Sequence, residues 1–142
     1  MFEGCSKISS APALPATTLA PYCYQGMFNG CSSLSTTPTV LPATTLANYC
    51  YQSMFKGCSN LTVAPYLPAT TLVNNCYKTM FQDCTKLSSI SVEFSSWDNR
   101  TGDWLKNVAA TGTFTCPTAL GTNETISRGY SNCPENWTVI NK

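Results

Sequence analysis

Apolar residues recur along the first 92 residues of the chain with a period of about 26. Met-Phe pairs start at Met1, Met27, Met54 and Met80, and a cysteine lies three residues after each Phe, at Cys5, Cys31, Cys58 and Cys84. The hexapeptide Leu-Pro-Ala-Thr-Thr-Leu starts at Leu14, Leu41 and Leu67, and the pair Cys-Tyr starts at Cys23, Cys50 and Cys76. Because these markers keep one phase, residues 1–92 contain three full units of 26–27 residues and a partial fourth.

The second unit carries one extra residue, near Thr39 or Val40. The markers on both sides of this insertion stay in register. We therefore expect a bulge on the surface here, since an added core residue would disturb the packing of neighbouring units.

The repeat length predicts one coil per unit. A period of 26 is typical of leucine-rich-repeat solenoids, whose units run from about 20 to 29 residues, whereas paired-helix repeats need about 33 or more. We expect short strands at residues 8–11, 34–37, 61–64 and 87–90, the first three ended by Pro12, Pro38 and Pro65. The Cys-Tyr-x-x-Met-Phe segments are expected to form helical turns on the opposite side. The fold class predicted is an α/β solenoid, with a short parallel β-sheet on one face and helical turns on the other.

The Phe-x-Gly-Cys-x-x-Leu blocks at residues 28–34 and 55–61, and the variant with Ile8 at residues 2–8, resemble the leucine-rich-repeat surface proteins of the BspA type in bacteria. The fourth block, residues 81–87, has Asp83 in place of the Gly, and Cys-Tyr-x-x-Met-Phe replaces the family's Ile-Gly-x-x-Ala-Phe. The resemblance implies an extracellular or cell-surface location, adhesion and protein binding. We also expect further repeats to precede this chain in a longer parent protein, because its first coil has no cap.

Residues 93–142 break the repeat and are expected to form a small mixed C-terminal cap. Residues 101–108 look like a short helix with Thr101 as N-cap, residues 112–116 and 137–140 look like strands, and residues 121–132 look like a polar loop. Four aromatic residues are expected to pack under the last coil, namely Trp97, Trp104, Phe114 and Trp137.

Composition narrows the function. The 142 residues include 8 Lys and Arg against 7 Asp and Glu, so the net charge is +1, and no field attracts nucleic acid. No apolar run approaches the about 20 residues that cross a bilayer, which argues against membrane insertion. Histidine is absent, which removes the commonest general base and metal ligand. We therefore predict no enzyme activity, no cofactor and no metal.

The nine cysteines leave several interpretations open. Two sets of cysteines follow the repeat. If each coil buries one thiol of a set, the thiols form a ladder and act as small apolar groups. Disulfides between the two sets, such as Cys23 with Cys31, are an alternative. In the cap, Cys116 and Cys133 form the best single candidate for a disulfide. A zinc site is not favoured, because close Cys-x-x-Cys pairs are missing.

The outward positions of the predicted strands form the candidate binding face, since solenoids bind partners on such extended surfaces. Its members are Ser9, Ser10, Ser35, Thr36, Thr39, Thr62, Val63, Tyr66, Ser88 and Ser89, with Tyr22 and Tyr49 on the turns. These residues are small and rich in hydroxyls, with Tyr66 as the candidate aromatic anchor. We predict a non-enzymatic module that binds a protein or glycan on a host or neighbouring cell. The alternative is a structural spacer or receptor-binding component of a phage tail or surface appendage.

Overall fold

The computed structural model describes residues 2–142, which form a stack of coils with little regular secondary structure. The strands are β1 (Ser89–Ser91), β2 (Gly112–Cys116) and β3 (Trp137–Asn141), and two 3-10 helices cover Asn99–Thr101 and Thr118–Leu120. The strands form one parallel sheet in the order β1-β2-β3. The predicted α/β solenoid with helical turns is therefore wrong: the described residues contain no α-helix, and the sheet lies only at the C-terminal end.

Equivalent residues of successive units form columns inside the stack. The rings of Phe2, Phe28, Phe55 and Phe81 stack with centroids 5.4–5.5 Å apart and nearly parallel planes. A second column joins Tyr24, Tyr51, Tyr77 and Trp104. Phe28, Phe55 and Phe81 have no exposed surface. Burial of such rings removes a large apolar area from water, which stabilises the stack.

Proline explains why the expected strands of the first three coils are reduced to single bridges. Ser10 pairs with Thr36, and Val63 pairs with Ser89, each as an isolated parallel bridge. A proline stands two residues after the bridging position in each of these coils, at Pro12, Pro38 and Pro65. Proline has no N–H group, so the ladder cannot extend past it. The fourth coil has Ser91 at this position, and there the bridge extends into strand β1.

The predicted helical turns are replaced by runs of tight turns at residues 21–30, 48–57 and 74–83, called here the turn segments. In the first, the N–H groups of Gln25, Met27 and Asn29 donate to carbonyls three residues back. The alternate N–H groups leave the coil: Phe28 donates to Met54 in the next coil at 2.9 Å. An α-helix would use both sets internally, so the link between coils replaces the helix.

Every fourth residue of a turn segment has positive φ, which also prevents a helix. One such column contains Gly30, Gly57, Asp83 and Asn107, with φ between 59° and 77°. Another contains Gly26, Ser53, Thr79 and Asp103. This left-handed conformation costs other L-residues about 1–2 kcal/mol, and only Gly, Asn and Asp adopt it readily. The backbone of the neighbouring coil therefore holds Ser53 and Thr79 in place.

The cap differs from expectation at one element. Residues 101–108 form no helix: Asp98, instead of Thr101, caps the 3-10 helix Asn99–Thr101, and Asp103 and Asn107 have positive φ. The two predicted cap strands are confirmed, with β3 one residue longer. Phe94, Trp97, Trp104 and Phe114 form the aromatic cluster below the last repeat. Trp137 lies outside this cluster, and its indole N–H donates to the carbonyl of Ala109 at 2.8 Å.

Candidate functional site

A groove opens between the second and third coils on the predicted binding face. Its lining includes five predicted site residues, Ser35, Thr36, Thr39, Thr62 and Val63. The other lining residues are Thr37, Pro38 and Ala64, and the groove has a volume of about 320 Å³. We call it the hydroxyl groove. No charged side chain lines it, so it offers hydrogen bonds and small apolar contacts to a neutral ligand.

The hydroxyl groove lies where the ladder between coils is interrupted. On one side Ala11 N–H donates to Thr36 C=O at 2.9 Å, and on the other Ala64 N–H donates to Ser89 C=O at 2.9 Å. The equivalent bond, from Thr37 N–H to Val63 C=O, is not formed within residues 2–142. Four strand-edge groups consequently have no backbone partner here: Thr37 N–H, Val63 C=O, Thr62 N–H and Ser35 C=O.

The extra residue of the second unit accounts for this interruption. Beyond the groove the ladder resumes, with Val40 bridged to Tyr66 and Tyr66 N–H donating to Thr39 C=O at 2.9 Å. Four steps along the second coil, from Thr36 to Val40, therefore face three steps along the third. A mismatch of one residue leaves backbone unpaired, as in a β-bulge. The insertion was expected to form a surface bulge, but its role in opening a groove was not predicted.

The remaining predicted strand residues support the groove from the neighbouring coils. Ser9 C=O accepts the N–H groups of Ser35 and Thr36, and Ser88 N–H donates to Thr62 C=O. Ser10 and Ser89 form the outer bridges with Thr36 and Val63. Val63 is 56% exposed, so its isopropyl group gives the groove an accessible apolar wall.

Tyr66, the candidate aromatic anchor, is engaged within the molecule. Its hydroxyl donates to Glu93 at 2.5 Å, and the ammonium group of Lys142 lies 4.7 Å from the ring centroid. Lys142 also forms an ion pair with Glu93. The hydrogen bond to Glu93 raises the pKa of Tyr66 to about 12, and the hydrogen bond from Lys142 lowers the pKa of Glu93. A ligand that stacked on Tyr66 from the Lys142 side would have to displace Lys142 first.

The other two predicted tyrosines lie apart from the groove, on the turn segments. Tyr22 and Tyr49 stack on each other with centroids 4.9 Å apart, and both have φ of 61°. Neither lines the hydroxyl groove. The structure therefore brings part of the predicted binding face together in one site, and the rings of Tyr22 and Tyr49 lie on a separate part of the surface.

All nine cysteines are free thiols in the structure, including Cys116 and Cys133, so the candidate disulfide is not present. Cysteines that recur with the repeat bond to the backbone instead. Cys58 Sγ–H donates to Phe28 C=O at 3.2 Å, and Cys84 Sγ–H donates to Phe55 C=O at 3.0 Å. Burial raises the pKa of Cys58 to about 12 and that of Cys133 to about 11. Such thiols stay protonated at neutral pH and are poor nucleophiles.

Residues 2–142 contain no group of three or more cysteine, aspartate or glutamate side chains that could hold a metal ion. No helix in the same part of the chain has the length and apolar character to cross a membrane.

Three of the lining residues were not predicted from the sequence, namely Thr37, Pro38 and Ala64. The contacts of Tyr66 with Glu93 and Lys142 were not predicted either. The lining residues could have been found from the insertion, because a register change on a ladder exposes the residues on both of its sides. Nothing in the sequence marked the contact between Glu93 and Lys142, which are 49 residues apart. The comparisons add no relative: no protein-family model, curated protein or solved structure matches this chain.

Proposed function

We propose that the chain is a non-enzymatic binding module of a bacterial cell-surface or secreted repeat protein, and that it holds a protein or glycan partner in the hydroxyl groove. The observation that carries this proposal is the interrupted ladder between Thr36 and Val63. It leaves backbone donors and acceptors unpaired beside exposed hydroxyls, and hydrogen bonds to such groups are gained on binding. The resemblance to BspA-type proteins supports the location and the adhesion role.

One groove of about 320 Å³ offers a small contact area. Small sites bind weakly, so the module acts through several weak contacts along a rigid stack, where a second contact is made at high effective concentration. The exposed serines and threonines on either side of the groove, such as Ser10 and Thr138, extend the polar surface along the stacking axis.

The test is binding of the chain, presented as a multivalent display on beads, to a glycan array and to immobilised host matrix proteins. The double variant Thr36→Val, Thr62→Val removes two groove hydroxyls while it keeps the shape of each side chain, and we expect it to reduce binding about tenfold. The matched control, Thr44→Val with Thr70→Val, changes two exposed threonines of neighbouring hexapeptides outside the groove and should leave binding unchanged.

The spacer alternative makes the opposite prediction. A spacer in a phage tail or surface appendage would bind none of these ligands and would be recovered in a larger assembly. Equal binding by the groove variant and the control would also contradict the proposed site.

A further inference from the structure

The hydroxyl groove presents an uncommon arrangement of four backbone groups. Thr37 N–H and Thr62 N–H are donors, Ser35 C=O and Val63 C=O are acceptors, and none has a backbone partner within residues 2–142. All four residues line the groove. A donor and an acceptor that would have bonded to each other across the ladder are best satisfied by one ligand group that both accepts and donates. A planar amide is such a group.

The same molecule shows how an amide satisfies an open ladder. At the outer edge of β3 the side-chain amide of Asn123 accepts the N–H of Val139 at 2.7 Å and donates to the carbonyl of Val139 at 3.3 Å. One amide group thus replaces a neighbouring strand at a single residue. In the hydroxyl groove the unpaired donor and acceptor belong to two facing coils, whereas Asn123 bonds to two groups of one residue. A trans secondary amide, whose C=O and N–H point in opposite directions, can accept from one coil and donate to the other. No lining residue supplies a side-chain amide.

The walls of the groove narrow the choice of amide. Its polar side chains are all hydroxyls, and Val63, Pro38 and Ala64 supply a small apolar surface. The methyl group of an acetamide matches the apolar surface in size, and ring hydroxyls match Ser35, Thr36 and Thr62. The absence of charged lining residues disfavours charged sugars and charged peptides.

We infer that the hydroxyl groove binds the acetamido group of an N-acetylated amino sugar within a glycan. The acetamide accepts from Thr37 N–H and donates to Val63 C=O, its methyl packs on Val63, and the ring hydroxyls bond to the threonine hydroxyls. This inference rests on the proposed function and names the ligand class of the same site.

The experiment uses matched sugars that differ only in the acetamide. N-acetylglucosamine and its β-1,4-linked disaccharide are compared with glucose and cellobiose by saturation-transfer NMR and by titration of the ¹⁵N-labelled chain. We expect the acetyl methyl group to receive the strongest saturation. The amide signals of Thr37 and Thr62 should shift, and the sugars without the acetamide should bind at least about tenfold more weakly, because two hydrogen bonds are lost.

Two variants locate the binding. Deletion of Thr39 restores the register of the other units, so it should close the ladder and abolish binding of N-acetylglucosamine. Because this deletion can also disturb folding, Val63→Asp serves as the second variant: it adds a charge at an exposed position and should also abolish binding. Thr44→Val is the control and should bind as the unchanged chain does.

Three results would overturn the inference. These are equal affinity for N-acetylglucosamine and glucose, no binding of any probe sugar, and amide shifts confined to residues outside the groove. If an uncharged extended peptide bound in the groove and no sugar did, the inference of an N-acetylated amino sugar would be wrong, while the proposed function would still hold. If groove variants changed no binding to any glycan or protein, both would fail.

Discussion

At the scale of single residues, the cysteines that recur with the repeat show how one sulfur atom links two coils. Each buried Sγ–H of Cys31, Cys58 and Cys84 points to the carbonyl of a phenylalanine in the preceding coil, at 2.9–3.2 Å. The sulfur fills apolar space, and its hydrogen gives a weak bond to a buried carbonyl. Cysteine therefore serves both packing and hydrogen bonding at these buried positions.

This arrangement predicts which thiols react. Cys5 and Cys23 are exposed, and the other seven are buried, with pKa values raised by burial to about 12 for Cys58 and Cys76. We expect iodoacetamide at neutral pH to label two thiols of the native chain and all nine after unfolding, as counted by mass spectrometry. The unfolded sample is the control for total thiol. Loss of labelling at Cys116 and Cys133 in unfolded, unreduced protein would instead reveal a disulfide.

At the scale of elements, the turn segments depend on the backbone conformation of every fourth residue. Gly57 has φ of 75°, and a Cβ placed there would meet only Gly30 backbone atoms at 3.6 Å, which is ordinary contact. The cost of a side chain at this position is thus mainly the strain of the left-handed conformation.

Gly57→Ala should lower the free energy of unfolding by about 1–2 kcal/mol, whereas Gly57→Asn should cost less, because Asn adopts this conformation more readily. Urea unfolding followed by tryptophan fluorescence measures both. An Ala variant as stable as the unchanged chain would show that the turn segment does not hold position 57 in the left-handed region.

The outer edge of strand β3 is a second element whose backbone needs a partner. Asn123 bonds to both backbone groups of Val139, and the guanidinium of Arg128 donates to Trp137 C=O at 2.8 Å. These side chains occupy an edge that another strand could otherwise pair with.

Asn123→Ala uncovers this edge, and we expect concentration-dependent self-association in sedimentation velocity runs. Asn136→Ala is the matched control, because Asn136 is exposed and forms no side-chain hydrogen bond within residues 2–142. A monomeric Asn123→Ala variant at every concentration would show that the edge is blocked by other means.

At the scale of the whole molecule, the cluster of Tyr66, Glu93 and Lys142 joins the third coil to the end of the cap. Because the pKa of Glu93 is lowered in the folded chain, the stability that Glu93 contributes is complete above the ordinary glutamate pKa of 4.5. This contribution is lost as the pH falls below that value. The raised pKa of Tyr66 makes the tyrosine contribution complete below its ordinary value of 10.0, and this contribution is lost as the pH rises toward about 12.

Glu93→Gln should therefore reduce stability at pH 7 by at most about 1 kcal/mol, since the ion pair is partly exposed, and this reduction should become smaller as the pH falls below 4.5. Thermal unfolding of both proteins across this pH range measures the difference. Glu135→Gln is the control, because Glu135 makes no ion pair within residues 2–142. A difference that did not shrink as the pH fell below 4.5 would rule out the carboxylate as its source.

Much of the stack could be predicted from the sequence. The markers predicted columns of Phe28, Phe55 and Phe81, and the structure buries all three in one column. The helical turns were predicted wrongly because a short segment cannot separate a period of four from one of 3.6. Buried pairs at Cys50 and Tyr51, then at Met54 and Phe55, follow the period of four.

The sequence by itself determined what repeats: the period, the inward columns, the prolines that stop the ladder and the insertion in the second unit. Only the tertiary structure decided which backbone group bonds to which, because the partner of each N–H lies in a neighbouring coil about 26 residues away. A register change of one residue, too small to alter the hydrophobic pattern, left Thr37 and Val63 unpaired. Side-chain patterns fix the interior of such a stack, whereas the pairing of its backbone depends on how two coils meet.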